Sequence, residues 1–245
     1  MTKTPETEIS PRPALLLLPN VFGDVAHHSL FLPASVDKAV ATIDGLIAES
    51  AGGGRQFLNR FQTKKPPHAI PIALLNEHTN DEEIDFLLDP IRKGGRWGLI
   101  SDGGMPCIAD PGSKLVMRAR SLSIVVQAFV GPSSLMLSLM LSGFPAQRFN
   151  FLGYLPEEPQ AREKEIAILE KNAKQLSCTQ IFIEAPYRNK HTLESLVNVL
   201  NGSTSLCVAW DLTMPTQGVL SQTIEIWKKS PLPNLEKKNT IFLIA

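Results

Sequence analysis

Leu99–Val116, LISDGGMPCIADPGSKLV, is the stretch on which the reading of this chain turns. Apolar and small residues lead into Asp102, and Gly103 and Gly104 follow at once. Pro106, Pro111 and Gly112 come next, with a second acid, Asp110, among them. Past Gly112, the spacing of Leu115, Val116 and Ala119 places them on one helical face. The stretch reads as a strand, a turn-rich loop and a helix. The twelve residues Ser101–Gly112 exceed the roughly 2–6 that usually join such elements, and ordered loops of that length are usually functional.

Outward from this loop the same alternation repeats. ALLLLP, Ala14–Pro19, ends at the turn PNVFGD and reads as a buried strand of parallel type. DKAVATIDGLIAES supplies a helix and then a weak strand, and GGGRQFLNRF a glycine break before an amphipathic helix. AIPIALLN is a strand. DEEIDFLLDPIRKGG is a helix with acids in its first turn and bases in its last, as the helix dipole favours, stopped by Gly94 and Gly95. RWGLISD, GSKLVMRARSLS and IVVQAFV give strand, helix and strand, and IVVQAFVGPSSLMLSLMLSGF is expected to be a buried strand followed by a buried helix. Such alternation implies a parallel sheet with helices on both faces. Between about Val130 and Pro145 the texture changes. RFNFLGYLP, TQIFIEAP, SLCVAWDLT, GVLSQTIEIWKKS and NTIFLIA place strands close together around two helices, which predicts a mixed sheet. The expectation is an α/β protein of two α/β domains, 13–131 and 132–245, after a disordered tail over 1–12.

The 245 residues, 43% hydrophobic, can bury a real core. Lys plus Arg and Asp plus Glu both number 24, which excludes a strongly basic nucleic-acid coat but leaves room for a local basic patch. Cys107, Cys178 and Cys207 are scattered and read as free thiols of a reducing compartment, so the expected location is cytoplasmic. Neither they nor the histidines have metal-ligand spacing, and the apolar run Ala14–Leu18 is too short for a signal-peptide core or a membrane span.

Ligands of open parallel sheets bind where loops leave the carboxyl ends of strands. Three loops qualify: PNVFGD, SDGGMPCIADPG and VGPSS. Glycine lets the backbone approach a ligand closely. Ser133 and Ser134 stand at the start of the next helix, where free N–H groups point outward; taken alone, they serve equally as helix caps. No phosphate loop, dinucleotide fingerprint, serine elbow or Cys–His pair is evident, so the motifs suggest a ligand gripped mainly through backbone.

LISDGGMPCIADPGSKLV resembles the signature loop of the tetrapyrrole methylase superfamily of S-adenosylmethionine-dependent methyltransferases, and within it the branch of ribosomal RNA small subunit methyltransferase I. That branch has Ser-Asp-Ala-Gly-Thr-Pro followed by Ser-Asp-Pro-Gly; here Gly103 stands for the alanine, Met105 for the threonine and Ala109 for the serine. VGPSSLMLSLMLSGFPAQRFNFLGYLP, TQIFIEAPYRNKHTLESL and, more weakly, VAWDLTMPTQGVLSQTIEI resemble its later blocks in order and spacing. There are departures. LPNVFGD replaces Gly-Thr-Pro-Ile-Gly-Asn, Glu49 and Arg55 are the nearest echoes of a Glu-Asp-Thr-Arg block, and Trp210 and Asp211 stand where Arg-Glu is usual. The resemblance implies the tetrapyrrole methylase fold, with S-adenosyl-L-methionine folded in a cleft between the domains. Its implied contacts are Phe22, Gly23, Gly103, Gly104, Met105, Ile108, Ser133, Ser134, Glu184, Ala185 and Gly218. It implies a homodimer and a ribosomal RNA substrate methylated at a ribose hydroxyl. The alternatives are a small-molecule methyltransferase of the tetrapyrrole type and a donor-binding protein that transfers nothing.

A ribose hydroxyl acceptor calls for a general base or a charge-stabilising neighbour. The candidates are Asp102, Glu77 and His78, with Asp24 and Glu184 beside them. LLNEHTND resembles the branch's His-Glu-His-Asn block, which implies that Glu77 and His78 face the cleft; as lone residues they are equally loop-surface groups. Asp102 either orients the loop by bonding backbone N–H groups or accepts a proton. Asp110 reads as a turn or cap residue, and Arg188 as a phosphate contact or a helix cap. The apolar SSLMLSLMLSGF suits a dimer interface or a core.

Overall fold

A computed structural model describes residues 12–23 and 27–245. All of the expected tail but Arg12, and Asp24, lie outside the described residues. The chain divides into two compact units at Pro132/Ser133.

Unit 1 contains β1 (Ala14–Leu17), α1 (Ala34–Val40), β2 (Gly45–Ala48), α2 (Ala51–Leu58), β3 (Ile72–Leu74), α3 (Asp81–Arg92), β4 (Arg96–Leu99), α4 (Ser113–Ser121) and β5 (Val125–Ala128). Its sheet has the order β3-β2-β4-β1-β5, and every pairing is parallel. Alternation along a strand sends Leu15 and Leu16 to opposite faces. Leu16, with Leu46, packs against Val36 and Val40 of α1 and Phe57 and Leu58 of α2. Leu15, with Ile47 and Leu99, packs against Ile84 and Leu88 of α3 and Leu115 of α4. Both faces are covered, as the sequence predicts.

Two expectations need correction. Gly52–Gly54 do not break the chain ahead of a helix; they form the first turns of α2. Glycine weakens a helix by about 1 kcal/mol per residue, and here packing overrides that. The Ser50 hydroxyl accepts the Gly53 N–H at 3.0 Å and caps the helix. A Cβ on Gly54 would stand only 3.1 Å from Ile72 and 3.2 Å from Ala48, so the missing side chain lets α2 lie down on β2 and β3. The segment read as a buried strand and a buried helix is a strand and a helix, but each is partly exposed. β5 is an edge strand, with Val125 50% exposed, and the following helix buries Leu139 while Met140 is 75% exposed. The helix turns its serine stripe inward, with Ser138 and Ser142 buried, so composition pointed to the wrong face.

Unit 2 contains α5 (Ser134–Ser142), β6 (Phe149–Tyr154), α6 (Pro159–Leu176), β7 (Thr179–Glu184), α7 (Asn189–Val199), β8 (Ser205–Trp210), β9 (Gly218–Thr223), α8 (Ile224–Trp227) and β10 (Thr240–Ile244). The sheet order is β6-β7-β10-β8-β9; β6 and β7 are parallel, and β10 runs antiparallel to both neighbours. The mixed sheet is the expected one. Phe182 and Phe242, stacked at 5.3 Å, face the buried side of α6 and α7. Ile181, Cys207 and Leu243 face Leu139 of α5.

Candidate functional site

The connections of unit 1 define where a ligand can enter. From β1 the chain crosses β4 to reach β2; from β4 it crosses β1 to reach β5. The helices after β1 and β4 therefore leave to opposite faces, and the two loops part at the point where strand order reverses.

Those loops are joined by their backbones. Asn20 donates its N–H to Gly104 O at 2.8 Å, and Gly104 donates back to Asn20 O at 3.1 Å. The buried Asn20 side chain donates to both Ser101 O and Asp102 O at 3.1 Å, and its Oδ1 accepts the Val21 N–H at 2.9 Å. Asn20 is thus the clasp of the site. The sequence reading missed it, although an asparagine in a turn after a buried strand was a usable signal. The third loop joins them: a Cβ on Gly131 would sit 2.0 Å from Pro19 Cβ, and one on Gly104 3.3 Å from Pro132 O. The three loops picked out in the sequence therefore converge within unit 1 as far as Pro132.

At the crest of the long loop, Gly104 has φ +78°, the left-handed region that favours glycine. The Phe22 ring lies over Gly103 and Gly104, 2.9 Å from where a Gly104 Cβ would be. Met105 is half-buried, and Gly23 and Ile108 are exposed on the same two loops. Non-glycine Cys107 and Ala109 are also held at φ +69° and +64°, a conformation that costs of order 1–3 kcal/mol and persists only where the surroundings impose it.

Three carboxylates gather beside this loop. Glu49, at the end of β2, accepts the Asp102 N–H at 3.1 Å. Asp102 itself is exposed, and its Oδ1 lies 2.8 Å from where a Gly53 Cβ would stand, against the first turn of α2. A helix N-terminus favours a negative charge there. The loop is thus oriented through Glu49 and Asn20. Burial, followed by the charge of Asp102, pushes Glu49 up. Burial, then the charges of Glu49 and Asp102, push Asp110 up to about 6, against an opposing hydrogen bond from Ser101. Asp110 is therefore more than the turn or cap residue expected, and Gly112 takes the N-cap position of α4.

That shift has a sign. The folded state holds the Asp110 proton more tightly than the unfolded state, so the proton's stabilising contribution is full below about pH 4 and is lost as pH rises through about 6. Asp110→Asn is expected to be more stable than the parent at neutral pH by about 1 kcal/mol after allowance for solvent screening, roughly 3 °C in Tm. The gain should vanish below about pH 4. Thermal unfolding followed across pH checks it; a gain independent of pH would mean that Asp110 is not the titrating group.

The other candidates stand elsewhere. Glu77 and His78 lie in the turn after β3, both exposed, with their side chains 3.6 Å apart. They follow β3, the outer strand, and the charges that act on Glu49 and Asp110 are those of Asp102 and Glu49, not Glu77 or His78. Ser133 caps α5 by accepting the Met136 N–H at 3.4 Å, and Ser134 is the first residue of that helix. Both belong to unit 2. At the end of β7, Glu184 is fully committed: Oε1 accepts the Ala185 N–H at 2.8 Å and Arg188 Nε at 2.7 Å, while Oε2 accepts the Thr192 hydroxyl at 2.8 Å. Arg188 donates in addition to Leu155 O and pairs with Glu157 at 3.0 Å. Glu184 and Arg188 thus build the loop instead of standing open as a base and a phosphate contact. Gly218 faces Trp210 across β8 and β9, where a Cβ would lie 2.0 Å from the indole. Gly218→Ala is expected to destabilise unit 2 by about 2–3 kcal/mol through overpacking. A Trp210→Leu change should recover most of it in a double variant, measured by chemical denaturation.

No helix among the described residues is long and apolar enough to cross a membrane, and no described cluster of His, Cys, Asp and Glu is arranged to hold a metal ion.

Comparison with solved structures gives the fold its class. The methyltransferase CobJ superposes with a TM-score of 0.64 at 13% identity, covering 95% of this chain and 93% of that one. A cobalt precorrin-4 methyltransferase gives 0.62 at 15%, covering 95% and 94%. This is the tetrapyrrole methylase fold. No family model matches the chain. Ribosomal RNA small subunit methyltransferase I of Xylella fastidiosa is 33% identical over 183 residues, 75% of this chain and 64% of that protein. The Thermotoga maritima protein of the same name is 30% identical over 200 residues, 80% of this chain and 85% of its own length. The chain belongs to the family of ribosomal RNA small subunit methyltransferase I. It spans a little under two thirds of the length of the first of these relatives.

Proposed function

We propose that this protein is an S-adenosylmethionine-dependent methyltransferase that acts on RNA, with a ribose hydroxyl of small-subunit ribosomal RNA as the acceptor. The observation that carries the reading is the clasped pair of loops at the strand-order reversal, in a chain that belongs to this family. The chemistry of the donor set fits. A sulfonium and an α-amino group are cations, and Glu49, Asp102 and Asp110 form an acidic neighbourhood beside a glycine crest. Phe22 and the backbone of Gly103 and Gly104 would hold the apolar and polar edges of the donor, and Met105, Ile108 and Gly23 would line the same loops.

When bound, the donor supplies an activated methyl group with a good leaving group. The protein's task is then alignment, which contributes more than any single acid or base. A ribose hydroxyl must still lose its proton. Asp102 is the exposed carboxylate of the trio and the candidate base. Ser133, Ser134, Ala185 and Gly218 belong to the donor contacts by family position alone. Glu77 and His78 serve substrate approach in this reading, since neither joins the acidic neighbourhood. The exposed Met136, Met140 and Leu141 of α5 support a homodimer, and the free cysteines a cytoplasmic location.

Transfer of labelled methyl from S-adenosylmethionine to small-subunit ribosomal RNA, mapped to a nucleotide, tests the reading. Transfer to a porphyrinoid instead would overturn the substrate, and absence of donor binding would overturn the enzyme.

A further inference from the structure

We propose that a groove in unit 2, between the start of α7 and residues 232–236, binds one nucleotide of single-stranded RNA, its base stacked on Tyr187 and its phosphate held by Lys190 and His191. The proposal rests on the RNA reading above and adds a second place at which the substrate is gripped.

Tyr187 is 77% exposed, an uncommon position for a large ring. Its backbone is anchored on both sides. It sits in the turn between β7 and α7, and the residues on either side of it are fixed: Glu184 binds Ala185, Arg188 and Thr192 beneath the turn. A ring on an anchored turn loses less conformational freedom when a planar partner stacks on it than one on a mobile loop. Stacking on aromatic side chains is how proteins hold unpaired bases, and it tolerates any base.

The opposite wall is preformed as well. Asn189, fully buried, donates from Nδ2 to Leu235 O at 3.0 Å and to Lys238 O at 2.8 Å, tying residues 235–238 to the first turn of α7. Leu235 is buried behind that wall, and Leu232 and Pro233 face the groove. The groove is open on one side, and its volume, about 470 Å³, lies within the roughly 300–1,000 Å³ typical of small-ligand sites.

Charge selects the occupant. Lys190 and His191 are 80% and 70% exposed on the first turn of α7. Their contacts to Glu194 are long, 4.0 and 3.7 Å, and such exposed pairs contribute about 0–1 kcal/mol, so a phosphate can replace them. Glu236, on the far wall, disfavours a second phosphate but can accept from an exocyclic amine of a base. A flat aromatic face beside two basic groups, with a carboxylate opposite, suits a nucleotide better than it suits a peptide.

The test is fluorescence anisotropy of a labelled, unstructured oligoribonucleotide of about ten residues against the full chain, with S-adenosylmethionine titrated in parallel. Tyr187→Ala is expected to weaken RNA binding by about 5- to 10-fold, the low end for one stacked base, and Tyr187→Phe to stay within about 2-fold. Lys190→Glu should flatten the dependence of binding on salt by about one phosphate contact. Donor binding should be unchanged in all three, which excludes misfolding. RNA binding by the parent that is equally strong in Tyr187→Ala and Lys190→Glu would overturn the groove and leave the RNA reading standing. A parent that binds the donor but no RNA would overturn both.

Discussion

Gly104→Asp will abolish high-affinity S-adenosylmethionine binding without unfolding the protein. At φ +78° a side chain is strained whatever the space, and here the Cβ would also stand 2.9 Å from the Phe22 ring and 3.3 Å from Pro132 O. The left-handed conformation alone costs about 1–3 kcal/mol, and the overlap must move the crest of the loop, so the affinity should fall about 30-fold or more. Gly94→Asp is the matched control. Gly94 has φ +105°, in the turn between α3 and β4, at the other end of the sheet from the loop, and nothing lies within 4 Å of its Cβ position. It carries comparable backbone strain without touching the candidate site. Calorimetric titration of the parent and both variants separates the cases. Loss in Gly104→Asp alone places the donor on this loop; loss in both points to stability; loss in neither removes the donor from the loop.

The second large effect is on stability. The Glu184 side chain is wholly inaccessible, and Arg188 beside it is 11% exposed. Removing one partner of a buried pair leaves the other charge uncompensated and costs about 3–5 kcal/mol. Glu184→Ala should approach the lower figure, because Arg188 keeps Glu157 and Leu155 O. A loss near 3 kcal/mol corresponds to a fall in Tm of about 10 °C for a domain of this size. Arg188→Met, which leaves the wholly inaccessible Glu184 carboxylate without its cation, should cost at least as much as Glu184→Ala, and the double variant less than the sum of the two. Additive losses in thermal unfolding would mean that the pair is not coupled.

The layered fold was legible because its signal is local. Alternating apolar strands and amphipathic helices with short turns announce a parallel sheet, and α3 declares itself through Asn80 and Glu83, each of which caps the other's backbone. The long loop was legible because Gly103, Gly104, Pro106 and Pro111 sit too close together for an ordinary turn. What was not legible depends on contacts between distant residues. Gly52–Gly54 look like a break until the approach of Asp102 and Ile72 is known. The gathering of Glu49, Asp102 and Asp110 joins segments more than fifty positions apart through strand order, which no spacing in the sequence encodes. SLMLSLMLS carries one stripe of serines, Ser134, Ser138 and Ser142, which reads as a solvent face, yet Ser138 and Ser142 are buried with Leu139, their hydroxyls bonded to carbonyls of their own helix.

The position of β10 carries a consequence for biosynthesis. This strand lies in the middle of its sheet, bonded to β7 on one side and β8 on the other, yet it is translated after every other strand in that sheet. Unit 1 has all five of its strands once Ala128 has left the ribosome. Unit 2 must instead wait with two unpaired strand edges, those of β7 and β8, facing a gap that Thr240–Ile244 fills. A nascent chain stalled before that point would hold a finished first half and an open second half, and the open edges are what a chaperone, or a neighbouring unfinished chain, would meet first.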